Sequence, residues 1–311
     1  MDDPTSIQAQ TAVATEPSPI SSPSSLPPPF LFGPNGLRSG WRFLAYLALA
    51  AVVAMTLNFV LHRIIHHKLP NIWGQMLGEV VALAVAVVPA LVMARIEKRP
   101  FGAYGLPRQG AFGKQFWVGA LWGFAAVSLL LLAIRGVGDF AITGLALHGV
   151  RIFKYGAFWA VLFLCVGFFE EFLTRGYTQF TLTQGLGFWP AAVLLSLAFG
   201  AMHLGNGGEN RIGILAIVMI ALFFCLTLRR TGTLWFAVGF HTSFDWGESY
   251  FYSVPDSGSL SPGHLLNSSF TGPRWITGGS DGPEGSVLVL VLIVLLCIVF
   301  NRVYPKVKYK G

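Results

Sequence analysis

Eight apolar runs limit what this chain can fold into more than anything else in it. They cover residues 41–62, 73–94, 115–134, 155–183, 188–204, 211–228, 232–247 and 286–301. A helix needs about 20 mostly apolar residues to cross about 30 Å of hydrocarbon. Of the 311 residues, 54% are hydrophobic and 11% charged, where a soluble domain carries about 25% charged residues. The expected fold is all-α, a polytopic membrane protein with about eight transmembrane helices.

The basic residues sort by side. With both termini in the cytoplasm, 13 Lys and Arg fall on the cytoplasmic side, Arg42, Arg99, Arg229 and Lys308 among them. The other side receives 7, and Arg175 stays in the membrane. That bias follows the positive-inside rule, so both termini are expected in the cytoplasm. The net charge of +7 belongs to helix ends, and no nucleic-acid partner is expected. Cys165, Cys225 and Cys297 all lie in apolar runs and read as small buried hydrophobes.

Residues 1–36 are rich in Pro, Ser, Thr and Gln and read as a disordered tail. Three spans are expected in 37–150, four in 155–250 and one in 286–311, which ends in a basic tail. The stretch 251–285 is rich in Gly, Ser and Pro, with turn signals at Pro255-Asp256-Ser257-Gly258, Gly272-Pro273 and Gly278-Gly279. It reads as a loop or a lid.

Two adjacent carboxylates, Glu170 and Glu171, stand inside the fourth run. An ionisable side chain at mid-membrane costs several kcal/mol, about 2.5–3.5 for an Asp on insertion scales, and marks a functional site by default. His203 ends the fifth run, and His241 and Asp245 lie in the seventh. If the fourth helix continues to a turn at Gly185-Leu186-Gly187, Glu170 and His203 are each about 22 Å from that turn. His241 and Asp245 are about 14 and 20 Å beyond Gly232 on the same side. All four groups then share one band of depth.

Glu171 and Arg175 are i,i+4 and can pair on one helix face, while Glu170 points about 100° away. His241 and Asp245 are also i,i+4, and His203 follows Phe199 by four. The bland reading of Glu171 is a structural ion pair with Arg175. That of His241 and Asp245 is a hydrogen bond within one helix. Glu79 and Asp139 read as solvated groups near helix ends. Two familiar intramembrane protease signatures are missing: neither His-Glu-x-x-His nor Gly-x-Ser-x-Gly occurs. Gly136-Val137-Gly138-Asp139 imitates an aspartyl-protease motif but lies just outside the third span.

Three motifs in order resemble the CPBP family, which includes the CAAX prenyl endopeptidases and the bacteriocin-processing or immunity (Abi) proteins. They are Glu170-Glu171-x-x-x-Arg175, Phe199-x-x-x-His203 and His241-x-x-x-Asp245. The run His203-Leu204-Gly205-Asn206 and Thr231-Gly232-Thr233-Leu234-Trp235 look like bacterial members, which implies a bacterial inner (plasma) membrane as the location. The third motif often ends in asparagine in the family. The resemblance covers about 155–250, which it marks as the catalytic core.

By that resemblance Glu170 is the general base that activates water and His203 helps position it. His241 and Asp245 then stabilise the oxyanion, or Asp245 sets the tautomer of His241. Glu171 joins the catalytic group, supported by Arg175 and Phe199. Zinc held by Glu170, His203 and His241 is an alternative. The implied activity is intramembrane endopeptidase action on a membrane-associated protein or peptide. Two rivals stand beside it: a non-catalytic immunity or scaffold protein, and a proton-coupled transporter, which inverted repeats and broken paired helices would favour.

Overall fold

A computed structural model describes residues 30–33, 36–64, 71–206 and 210–310. Most of the tail expected at 1–36 lies outside the described residues. Up to Arg38 the described chain holds one short antiparallel pair, β1 (Phe32–Gly33) with β2 (Gly36–Leu37). The remainder is a second unit, almost wholly helical.

Its helices are α1 (Ser39–Ile64), α2 (Asn71–Ile96), α3 (Lys114–Gly136), α4 (Val150–Arg175), α5 (Tyr177–Leu186), α6 (Phe188–Met202), α7 (Arg211–Thr231) and α8 (Trp235–Asp245). The last two are a single turn, α9 (Arg274–Thr277), and α10 (Val287–Val303). β3 (Phe140–Leu145) pairs antiparallel with β4 (Leu266–Phe270). The chain is a polytopic, all-α membrane protein in outline. Large apolar side chains such as Leu44, Met55 and Phe59 on α1, and Val291 and Leu295 on α10, face outward, as lipid-facing positions should.

Three details depart from the sequence reading. Among the described residues six helices are long and apolar enough to cross a membrane, and α10 is a shorter apolar helix. The seventh run forms only the 11-residue α8, which continues as a π-helix over Trp246–Phe251. The expected loop therefore starts later, and it contains β4 and α9. The fourth run also breaks at Gly176 (φ −83°, ψ −122°) into α4 and α5. The turn that follows falls where the glycines placed it, with Gly187 at φ +83°, a backbone conformation that suits glycine.

Helix α8 is the most enclosed element, and glycines make room for it. Gly119 and Gly123 on α3 form a Gly-x-x-x-Gly face. A Cβ at either would lie 2.1 Å from the carbonyl oxygen of Phe236 or Phe240 on α8. Gly239 on α8 meets the Phe116 carbonyl of α3 in the same way, at 2.1 Å. On the other flank, a Cβ at Gly167 of α4 would lie 2.9 Å from Thr242 Oγ1. Small residues let membrane helices approach backbone to backbone, where dispersion contacts are densest. The Ser243 hydroxyl adds a bond to the Ala120 carbonyl at 2.7 Å.

The two ends of the bundle differ. At one end Glu97 accepts from Arg42 (3.1 Å), Tyr104 (3.0 Å) and Tyr177 (2.5 Å), and Arg42 also reaches Gln184 at 2.6 Å. Burial, with the Glu97 charge next to it, pushes the Tyr104 phenol well above its ordinary pKa. The C-terminal segment folds back here: Lys308 N–H donates to the Arg229 carbonyl at 3.0 Å, and the Tyr309 ring lies tilted against that of Phe180, centroids 4.5 Å apart. The start of α1 and the chain's last described residues therefore share one end. At the other end, the 252–285 segment docks on the starts of α4 and α7. Trp159 Nε1–H donates to the Pro262 carbonyl at 3.2 Å. The Asn210 side chain caps α7 at Ile212 N (2.8 Å) and donates to the Gly278 carbonyl at 3.2 Å.

Two predictions follow from this architecture. Gly123→Ala should cost at least about 1–3 kcal/mol, the usual penalty of overpacking, because a backbone carbonyl occupies the new Cβ position. Gly136→Ala, with open space around it, should cost far less; thermal unfolding of detergent-purified protein compares the two. In a cysteine-free background, single cysteines at the exposed positions Lys98 and Ser259 should label from opposite faces of the membrane, with Ser259 reached from outside intact cells. Labelling of both from one face would overturn the arrangement.

Candidate functional site

The centre of the bundle holds charge that hydrocarbon does not tolerate unpaired. Glu171 and Arg175, one turn apart on α4, form an ion pair of 2.8 Å with side chains 0% and 1% exposed. Arg175 Nη1 also donates to Thr174 Oγ1 at 2.9 Å, and its Nε to the Ala221 carbonyl at 3.3 Å. The guanidinium lies over the rings of Phe199 and Phe224, at 5.3 and 5.2 Å, a cation–π contact strengthened by desolvation. The pair expected from spacing is present in its fully buried form.

The carboxylate has a second partner that helical spacing could not reveal. His241 Nδ1 on α8 lies 2.9 Å from Glu171 Oε1. An ionised carboxylate only accepts, so Nδ1 carries the hydrogen and Nε2 is turned the other way. There it faces Glu170 Oε2 and Asp245 Oδ2, each at 3.5 Å. Arg175, Glu171, His241, Glu170 and Asp245 are thus one contiguous group.

His203 approaches from the end of α6. Its Nδ1–H donates to the Phe199 carbonyl at 2.9 Å, and its ring meets the Phe199 ring edge-on at 4.6 Å. That leaves Nε2 for water or substrate. Among the described residues no hydrogen bond joins His203 to Glu170 or His241. His203 borders the same cavity of about 270 Å³ that Glu170, His241 and Asp245 border. Phe199 serves both partners, stacking on Arg175 and anchoring His203.

The cavity is polar around these groups and apolar along Phe163, Phe224, Phe244 and Leu292. It also includes acids that the sequence reading misplaced or passed over. Glu79 was expected near a solvated helix end. It lies two turns inside α2, half-buried, and lines the cavity. The available signal was that it sits within an apolar run, as Glu170 does. Asp256 and Glu284, from the segment after α8, line the cavity as well. Asp139 lies just past α3, as expected.

A single metal ion needs ligand atoms that converge. Among the described residues, the set whose ligand atoms all lie within 4.8 Å of one another is Glu248, Asp256 and Glu284. Glu170, His203 and His241 are not among that set.

The buried pair makes a direct prediction. Arg175→Leu leaves Glu171 as an unpaired charge in the core and should cost about 3–5 kcal/mol. Yield and thermal stability of the purified protein should fall. Glu171→Gln combined with Arg175→Leu should recover part of the loss, since no buried charge then lacks its partner. Full stability in the single variant would mean that the pair is solvated in the membrane.

No curated protein matches the chain. Residues 152–247 match the family described as type II CAAX prenyl endopeptidase Rce1-like. The matched segment contains every side chain of the Glu170–Glu171–Arg175, Phe199–His203 and His241–Asp245 groups. The chain is therefore similar to that family over 152–247, the segment that carries the three motifs.

Proposed function

We propose that this protein is an intramembrane endopeptidase that hydrolyses a peptide bond of a membrane-associated protein or peptide, in a membrane such as the bacterial inner membrane. The observation that carries this reading is the convergence of Glu170, His241 and Asp245 on one cavity, with the Glu171–Arg175 pair behind His241. Glu170 is the carboxylate of the pair without a cation at i+4; Thr174 occupies that position and bonds the Glu170 carbonyl at 2.6 Å. Its side chain is left for the cavity.

In the proposed reaction, Glu170 takes a proton from a water that His203 Nε2 helps to hold. The water oxygen attacks the scissile carbonyl carbon, and the carbonyl oxygen becomes an oxyanion. His241 stabilises that charge through Nε2. Because Nδ1–H is already committed to Glu171, this requires His241 to carry both protons. Asp245 orients the Nε2 side of the ring or, when protonated, donates to the oxyanion. The C–N bond then breaks, and the proton held by Glu170 passes to the leaving nitrogen. Donors fixed in a site closed to bulk water stabilise developing charge far better than water does. Glu171 and Arg175 are positioning residues here, since they act through His241.

Glu170→Gln keeps the shape of the side chain and removes only the base. It should lower hydrolysis by about 10²–10⁴-fold, the usual contribution of general acid–base catalysis, while the protein stays folded and inserted. Comparative membrane proteomics of wild type and Glu170→Gln cells, read for uncut precursors, identifies the substrate. Quantifying those precursors then gives the rate loss. Hydrolysis should survive a zinc-selective chelator with Ca²⁺ present; loss that zinc alone restores would point to zinc at this site. A Glu170→Gln protein that processes its substrate at the wild-type rate would eliminate the protease reading and leave the immunity or scaffold role.

A further inference from the structure

A second acidic group lies beyond α8, outside the three family motifs. Glu248 is on the π-helical continuation of α8 and is 0% exposed. Neither of its carboxylate oxygens has a hydrogen-bond partner in the protein. Its ligand atom lies within 4.8 Å of those of Asp256 and Glu284, which are themselves within that distance of each other. A buried carboxylate is stabilised only by protonation, by hydrogen bonds or by a cation. Three carboxylates brought this close repel one another unless something neutralises them.

Neighbouring side chains hold the group in position. Ser249 Oγ–H donates to Asp256 Oδ2 at 2.8 Å. Ser257 donates to Glu284 Oε2 through its backbone N–H at 3.3 Å and its hydroxyl at 3.2 Å. Asp256 and Glu284 are thus fixed by serines, while Glu248 brings two unpartnered oxygens to them.

We propose that Glu248, Asp256 and Glu284 bind a hard divalent cation, which ties the segment after α8 to the cavity wall. The donors are all oxygens, the ligand set of Ca²⁺ and Mg²⁺ rather than of soft metals. Metal–oxygen distances of about 2.3–2.6 Å let one Ca²⁺ bridge oxygens up to about 5 Å apart. Mg²⁺ demands shorter bonds and a near-octahedral shell, so Ca²⁺ is the better fit. The ion joins three parts of the chain: the continuation of α8, the Pro255–Ser259 turn and the approach to α10. It therefore sets the position of the wall that Asp256 and Glu284 contribute to the cavity. The proposal does not depend on the protease reading, because occupancy is measured without substrate.

The test uses the full chain, purified in detergent, stripped with a chelator and then titrated with Ca²⁺, Mg²⁺ and Mn²⁺. Calorimetry reads binding, and thermal unfolding reads stability. Ca²⁺ should bind saturably at one ion per chain, more tightly than Mg²⁺, and raise the melting temperature. Glu248→Gln should weaken binding by more than about tenfold, the lower end of what losing even an outer-shell partner costs a metal site. Asp256→Asn serves the same purpose if Glu248→Gln folds poorly. Glu170→Gln should bind Ca²⁺ like the wild type. A wild-type protein that takes up none of the three ions would overturn the proposal, because the carboxyl groups then share protons instead. Binding undiminished in both Glu248→Gln and Asp256→Asn would overturn it too, as would uptake that Glu170→Gln removes.

Discussion

Glu171 has no contact with solvent and holds two partners through one oxygen, Arg175 on its own helix and His241 on another. A charge so placed is tolerated only while both partners stay, since removing one leaves a desolvated ion with too little compensation. The geometry of the cavity follows from that constraint. The carboxylate fixes Nδ1 of His241, and fixing Nδ1 sends Nε2 toward Glu170 and Asp245. Arg175 in turn is seated between Phe199 and Phe224, and Phe199 anchors His203. One buried ion pair thereby relates groups on α4, α6 and α8.

That relation needs α8 to lie very close to its neighbours. The glycines at 119, 123 and 239 bring the backbones of α3 and α8 together, and Gly167 does the same for α4 and α8. Lipid tails are as apolar as leucine, so burial gives two membrane helices little reason to associate; close van der Waals contact does. The short α8, sheltered between two longer helices, can therefore carry a histidine and an aspartate at a depth where an isolated helix of its length and polarity would be costly.

The segment between α8 and α10 is built on other terms. It is secured to the start of α7 by Asn210, whose backbone N–H donates to the Asp281 side chain and whose amide donates to the Gly278 and Gly285 carbonyls, and it is tied to β3 by the β3–β4 pair. Its acids Asp256 and Glu284 line the same cavity as Glu170. Two clusters of carboxylates, one around His241 and one around Glu248, therefore border a single cavity. The first is balanced by Arg175 and an imidazole. The second contains Glu248, whose two buried oxygens accept no hydrogen bond in the protein.

The sequence by itself determined the membrane class, the helical positions and the turn at Gly187. It also determined the Glu171–Arg175 pair, because residues four apart on a helix share a face at 1.5 Å and 100° per residue. The expectation that Glu170, His203, His241 and Asp245 lie together came from helical rise, and all four line one cavity. The Gly119–Gly123 spacing was in the sequence too, as a sign of close packing, but without naming its partner helix. Tertiary structure alone decided that Glu171 holds His241, that Glu79 faces the cavity, and that Glu248 meets Asp256 and Glu284. These contacts join different helices or cross an irregular segment. Helical periodicity fixes which way a side chain points on its own axis, and it carries no information about the angle, rotation and distance at which another axis passes.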